Sequence, residues 1–169
     1  MRIELDKLEQ RSDTFAHRYE LEEIVLDEES TRLTKQPEVS GRVIRKGHEV
    51  RLIGKISASA EVDCDRCLKA VKVPIETEFD VKYVPNEEYA SDDIAELQEE
   101  DLSVSFFDGK TIDVDELVRE QVLLALPVRA LCGEECKGLC PVCGSDRNAS
   151  SCNCESLEID PRWAALKQL

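Results

Sequence analysis

Cysteine offers more chemistry than any other residue type in this chain, and the spacing of its eight copies directs that chemistry toward metal ligation. Cys64-Asp65-Arg66-Cys67 lies between two alternating segments, where a hairpin has to turn. A C-x-x-C in a tight turn aims two thiolates at one point, and tetrahedral zinc takes four sulfurs at about 2.3 Å. The other six, Cys132, Cys136, Cys140, Cys143, Cys152 and Cys154, crowd toward the C-terminal end. Among them Cys140-Pro141-Val142-Cys143-Gly144 reads as a zinc knuckle, because the glycine after the second cysteine lets backbone amides turn toward sulfur.

Loop length suggests how the thiols divide. Cys140, Cys143, Cys152 and Cys154 can close a local site, since the eight residues between Cys143 and Cys152 are ample to bring the chain back. Cys64, Cys67, Cys132 and Cys136 would then form a second site that staples the hairpin to the segment after the main helix. Spacing also admits an exchange of pairs between the sites, or one zinc with four free thiols.

Three other uses of cysteine compete: free thiols packed as small hydrophobes, iron–sulfur ligation, and a redox pair at Cys64 and Cys67. The redox pair is the weakest, because a thioredoxin-like motif requires a helix after the strand and none is readable there. Zinc held by four sulfurs has no open coordination position, so it is structural. Its binding free energy, on the order of 10 kcal/mol, would largely be folding free energy for the tail.

Nothing else in the chain assembles into a catalytic set. His17 and His48 lie far from the cysteines and read as surface residues. The acidic pairs Glu87-Glu88, Asp92-Asp93 and Glu99-Glu100 sit in a charged run that reads as solvated chain. There is no phosphate-cradling glycine loop and no triad motif. The expectation is a protein that binds and does not catalyse, with no small-molecule substrate.

The elements that must position the cysteines are legible in part. Val50, Leu52, Ile56, Ala58, Ala60 and Val62 alternate with Arg51, Lys55, Ser57, Ser59 and Glu61, with Ile53 out of phase. Past the first cysteine pair, Val71, Val73, Ile75, Thr77, Phe79, Val81 and Tyr83 alternate with charged residues, and Pro74 predicts an edge or a bulge. An earlier strand around Val39 to Arg45 turns back at Lys46-Gly47-His48, giving an antiparallel meander. Residues 86–101 hold eight acids and no base and read as a mobile acidic connection. A short apolar piece, Leu102 to Phe107, ends at the Asp108-Gly109 turn. Asp113 then caps a helix through Leu117, Val118, Val122 and Ala125, with Glu116 reaching back as in a capping box and Pro127 as the stop. Asp160-Pro161 predicts a short last helix, Arg162 to Leu169, burying Trp163 and Leu166. The fold expected is α+β: an antiparallel β-sheet domain with an amphipathic helix over residues 1–127, and a cysteine-rich zinc tail over 128–169 packed on it.

Charge separates the possible partners. With 37 Asp and Glu against 22 Lys and Arg, the net charge of −15 argues against indiscriminate binding to nucleic acid or to anionic membrane. The excess is uneven: Arg42, Arg45, Lys46, Arg51, Lys55, Arg66, Lys69 and Lys72 outnumber the acids of their stretch and are the local candidates for RNA phosphate contacts. An ordinary outward sheet face accounts for them equally well. No secretory signal or membrane span is readable, so the expected compartment is the cytoplasm, where thiols stay reduced.

With those positions identified, the sequence resembles the YceD family of bacterial proteins, called YlbN in Gram-positive bacteria, which has plant organelle relatives. The resemblance rests on Cys64-Asp65-Arg66-Cys67-Leu68, on Ile112-Asp113 opening a helix that runs into Leu124-Ala125-Leu126-Pro127, and on the tail. There the matching residues are Leu131-Cys132, Cys136 to Gly144, Cys152-Asn153-Cys154 and Asp160-Pro161-Arg162-Trp163-Ala164-Ala165-Leu166. The family is associated with accumulation of large-subunit (23S) ribosomal RNA. The resemblance therefore implies ribosome biogenesis through contact with ribosomal RNA or a basic ribosomal protein. Some members lack the part from Cys140 to Cys154 while keeping the first pair, which favours two separable zinc sites. The alternative function is a zinc-thiolate redox sensor. A metal-dependent hydrolase would need a nitrogen or oxygen ligand, which the sequence does not offer nearby.

Overall fold

The computed structural model describes residues 1–8, 11–27, 30–86 and 104–154. The acidic connection is thus described only at Asn86, and the expected last helix, with Trp163 and Leu166, lies outside the described residues. The chain divides into two compact units: Met1–Val62 with Lys72–Val128, and Asp63–Val71 with Arg129–Leu169.

The main sheet, nearly all of it in the first unit, contains β2 (Ser12–Arg18), β3 (Thr31–Lys46), β4 (Glu49–Asp63), β5 (Ala70–Pro85) and β6 (Val104–Phe107), in that spatial order. β3 and β4 are antiparallel, with Lys46 opposite Glu49, so Gly47 and His48 make a two-residue turn. Gly47 has φ +64°, the left-handed region that such turns demand of glycine. The antiparallel sense of β4 and β5 follows from their side chains: Glu49 with Lys82, Arg51 with Asp80, and Ser57 with Glu76. β6 runs parallel to β5 beside Lys82–Pro85 only. Pro74 lies outside the part of β5 that pairs with β6.

The alternation read for β4 is the one observed. Val50, Leu52, Ile56, Ala58, Ala60 and Val62 are buried, while Ile53 is exposed. On β5 the buried positions are Ile75, Phe79 and Tyr83. Gly41 and Gly54 face each other across β3 and β4. A Cβ on Gly54 would lie 2.3 Å from the Ser40 carbonyl oxygen and 2.7 Å from the Phe79 ring, so the close backbone approach requires glycine.

A second, two-stranded sheet pairs β1 (Arg2–Glu4) with β7 (Thr111–Asp113), and a 3₁₀ turn spans Leu5–Lys7. From β7 the chain enters α1 (Val114–Ala125). The Asp113 carboxylate caps the helix by accepting the Asp115 amide at 3.0 Å, and its second oxygen takes the Arg2 guanidinium at 3.1 Å. Val114, Leu117, Val118 and Val122 bury the apolar face in one core with the sheet residues.

The fold class expected from sequence needs correction. The described architecture is mostly β, a mixed sheet with one helix, and not a balanced α+β domain on a purely antiparallel sheet. β1, β2 and β7 account for the extra strand content, and β6 introduces the parallel pair. A parallel pair needs a crossover of a dozen or more residues, and the stretch between Pro85 and Val104 is long enough to supply it.

Candidate metal centre

The second unit begins where the β4–β5 hairpin turns. Cys64 accepts the Leu68 amide on its carbonyl at 2.9 Å, and its own amide donates to the Lys69 carbonyl at 2.8 Å. Leu68, in the corner this makes, has φ +59°. The same pair of bonds recurs at the second C-x-x-C. The Gly144 amide donates to the Cys140 carbonyl at 2.9 Å, the Cys140 amide donates to the Ser145 carbonyl at 2.8 Å, and Gly144 has φ +73°. The two knuckles are one local structure built twice, with Leu68 where the second has glycine.

The eight sulfurs gather as two quartets. Cys64, Cys67, Cys132 and Cys136 bring their Sγ atoms within 4.8 Å of one another, and so do Cys140, Cys143, Cys152 and Cys154. In the first quartet Sγ of Cys64 lies 3.9 Å from that of Cys136, and Sγ of Cys67 lies 3.5 Å from that of Cys132. Sulfurs at the corners of a zinc tetrahedron are about 3.8 Å apart. The donor set is all thiolate, without an oxygen or nitrogen ligand, so the residues fit a closed four-sulfur zinc. Cys64, Cys67 and Cys136 are buried with Val71, Leu131 and Leu139 around them. The second quartet is more open: Cys143 and Cys154 are exposed, and Cys140 is buried.

The thiols within each quartet shift in opposite directions. The Cys132 amide, 3.4 Å from Sγ of Cys64, is the main reason that thiol falls to about 6, whereas the sulfurs of Cys136 and Cys67 push Cys132 up to about 12. In the second quartet the Ser145 hydroxyl lowers Cys143 to about 6, and Cys143 in turn raises Cys154 to about 12. Crowded thiols of this kind lose their protons together when a dication replaces them.

Polar contacts brace the first quartet, and the sequence reading did not find them. Arg66, inside the C-x-x-C, donates to the carbonyls of Cys136 at 2.6 Å and Glu134 at 3.2 Å. Its own carbonyl accepts the Leu139 amide at 2.9 Å. Asp65 takes the Ala130 amide on its carboxylate and gives its own amide to the Ala130 carbonyl. Gly138, at φ +72°, runs so close that a Cβ there would sit 2.8 Å from the Arg66 carbonyl oxygen. The signal available in sequence was the charged pair inside Cys64-Asp65-Arg66-Cys67, whose side chains tie down backbone amides and carbonyls here.

The eight bases singled out from sequence do not form one free cationic face. Arg51 makes a two-pronged pair with Asp80 at 2.6 Å, and Lys69 pairs with Asp146 at 2.6 Å. Arg66 is spent on the knuckle, and Arg45 reaches the carbonyls of Gly47 and Leu5 at 3.4 Å. Arg42, Lys46, Lys55 and Lys72 are exposed and make no ion pair among the described residues. His17 packs edge-on against Tyr19, with ring centroids 4.5 Å apart.

Residues 52–169, which include every cysteine, match the YceD family, described as large ribosomal RNA subunit accumulation protein YceD. The chain belongs to the YceD family. Among relatives of this YceD-family chain, the Bacillus subtilis protein YlbN, described as uncharacterized, is 29% identical over 98% of this chain and 92% of its own length. An uncharacterized protein of Mycobacterium tuberculosis is 31% identical over 76% of this chain and 59% of its own length. A chloroplastic protein of Arabidopsis thaliana, named large ribosomal RNA subunit accumulation protein YCED homolog 1, is 27% identical over 78% of this chain and 48% of its own. No solved structure matches. No helix among the described residues is long and apolar enough to cross a membrane.

Proposed function

We propose that this protein assists assembly of the large ribosomal subunit in the cytoplasm as a binding factor, with two structural zinc ions held by its two cysteine quartets. The observation that carries the reading is the pair of four-sulfur clusters inside the stretch that matches the family. Cys64, Cys67, Cys132 and Cys136 would hold one zinc, and Cys140, Cys143, Cys152 and Cys154 the other. Zinc bound there would displace thiol protons and fix the knuckles, and four sulfurs would leave no position for a water. The protein is therefore assigned no catalytic role.

Its contact on the assembling subunit is with ribosomal RNA or with a basic ribosomal protein. A net charge of −15, with half of the eight candidate bases committed within the chain, favours the basic protein. RNA contact is supported by the relatives' names and by four exposed bases, Arg42, Lys46, Lys55 and Lys72, that make no ion pair among the described residues. Charge reversal at Arg42 and Lys55 decides between them. If RNA is the partner, the double variant binds large-subunit RNA more weakly and with a shallower salt dependence. Unchanged affinity and slope would remove RNA contact by this face. Depletion of the protein is expected to lower large-subunit RNA, and normal levels would argue against the assembly role itself.

A redox sensor remains the second reading, favoured by the exposed Cys143 held largely as thiolate. Mild peroxide followed by measurement of bound zinc separates the two, since a sensor loses metal at doses that leave an assembly factor loaded.

A further inference from the structure

The loop that the second quartet closes reaches into the first. Asn148 lies between Cys143 and Cys152, yet its side-chain amide donates to Sγ of Cys136 at 3.5 Å, a sulfur of the other cluster. Its carbonyl oxygen accepts the amide of Lys137 at 2.8 Å, directly after that cysteine. The amide orientation is fixed by Asp146, whose Oδ1 takes the same NH₂ at 2.7 Å and the Asn148 backbone amide at 2.9 Å. The other oxygen of Asp146 holds Lys69, two residues past Cys67, at 2.6 Å. The Arg147 amide donates to the Gly138 carbonyl at 3.0 Å. Three consecutive residues of one metal loop thus grip both chain segments of the other centre.

Hydrogen bonds to a ligating sulfur, and to the backbone next to it, orient the ligand and set its donor strength. Asn148 lies in the loop from Cys143 to Cys152, so closing that loop orders the segment that carries it. Without metal at the second quartet, ordering that loop costs backbone entropy; with metal there, the cost is already met. We propose that the two thiolate centres load cooperatively, with Asn148 as the positioning residue that couples them. The inference rests on the zinc reading given above. Because coupling between sites is reciprocal, metal at the first quartet strengthens binding at the second by the same factor.

The test is zinc titration of the full chain, followed by native mass spectrometry and by competition with a chromophoric chelator. Cooperative loading gives metal-free and two-zinc protein at half-saturation, with little one-zinc species. Asn148→Asp keeps the acceptor for Lys137 but loses the donor to sulfur, and Asn148→Leu loses both. Each is expected to populate the one-zinc species and to weaken the first centre about tenfold. Cys143→Ser with Cys152→Ser, which disables the second quartet, should weaken the first centre similarly, and adding Asn148→Asp to that pair should then cost little more. A statistical one-zinc population in the unaltered protein, or unchanged first-centre affinity in both Asn148 variants, overturns the coupling while leaving both centres in place. Protein that binds no zinc at all overturns the metal reading, and the coupling with it.

Discussion

Leu68 is the residue whose backbone fits its side chain least well. It occupies the left-handed corner of the first knuckle at φ +59°, and it is 63% exposed, so burial returns little. The equivalent corner of the second knuckle is Gly144. A left-handed leucine costs about 1–2 kcal/mol, partly offset because glycine would lose more freedom on folding, by about 0.5–1 kcal/mol. Leu68→Gly is therefore expected to stabilise the zinc-loaded protein by about 0.5–1 kcal/mol, read as a higher denaturation midpoint. A lower midpoint would mean that the leucine side chain makes contacts its exposure does not suggest. At this scale the sequence was most informative about which cysteines come together and least about what braces them. The sulfurs that loop lengths group together are the ones that lie together, whereas Asn148, Asp146 and Arg66 act through contacts between segments far apart in the chain.

Among the elements, β4 and β5 were legible because each has one buried face over many residues, long enough for a period of two to stand out. β1 and β7 have three residues each, too few for any periodicity. The first half of β3 hid for another reason: register shifts between Leu33 and Lys35 and between Lys35 and Glu38 break its alternation. α1 announced itself by its cap and its stop, although the Asp113 carboxylate accepts the Asp115 amide instead of the Glu116 amide that a capping box would use, and its second oxygen accepts from Arg2. The crossing of Gly41 and Gly54 is the element-level feature most open to test. Gly54→Ala forces a methyl group against the Ser40 carbonyl and the Phe79 ring, and should cost about 1–3 kcal/mol, seen as a lower urea midpoint. An unchanged midpoint would show that the two strands can part without loss.

For the molecule as a whole, the two units have different sources of stability. The first has a continuous apolar core from Ile3 to Val122, whereas the described residues of the second contribute a small cluster around Cys64, Cys67 and Cys136. Chelation is expected to unfold the second unit and leave the first, so that amide signals of Gly138 and Cys140 collapse while those of Leu52 and Val118 persist. Loss of both sets together would contradict this division. Chelation should also become easier as pH falls. Cys132 and Cys154, at about 12 without metal, must give up protons to bind it, so affinity drops by about tenfold per pH unit for each proton released. Below about 6 the fall steepens, because Cys64 and Cys143 then take up protons as well.

The hairpin that supplies Cys67 is separated from its partner Cys132 by 65 residues of sequence. At translation speeds of about 5–20 residues per second, roughly 3–13 s pass between the synthesis of one thiol and that of the other. Throughout that interval a growing chain carries Cys64 and Cys67 as an open dithiol, able to take a stray metal ion or to pair with a foreign sulfur. Any chain terminated before Cys132 keeps that open dithiol permanently, which marks it chemically as incomplete.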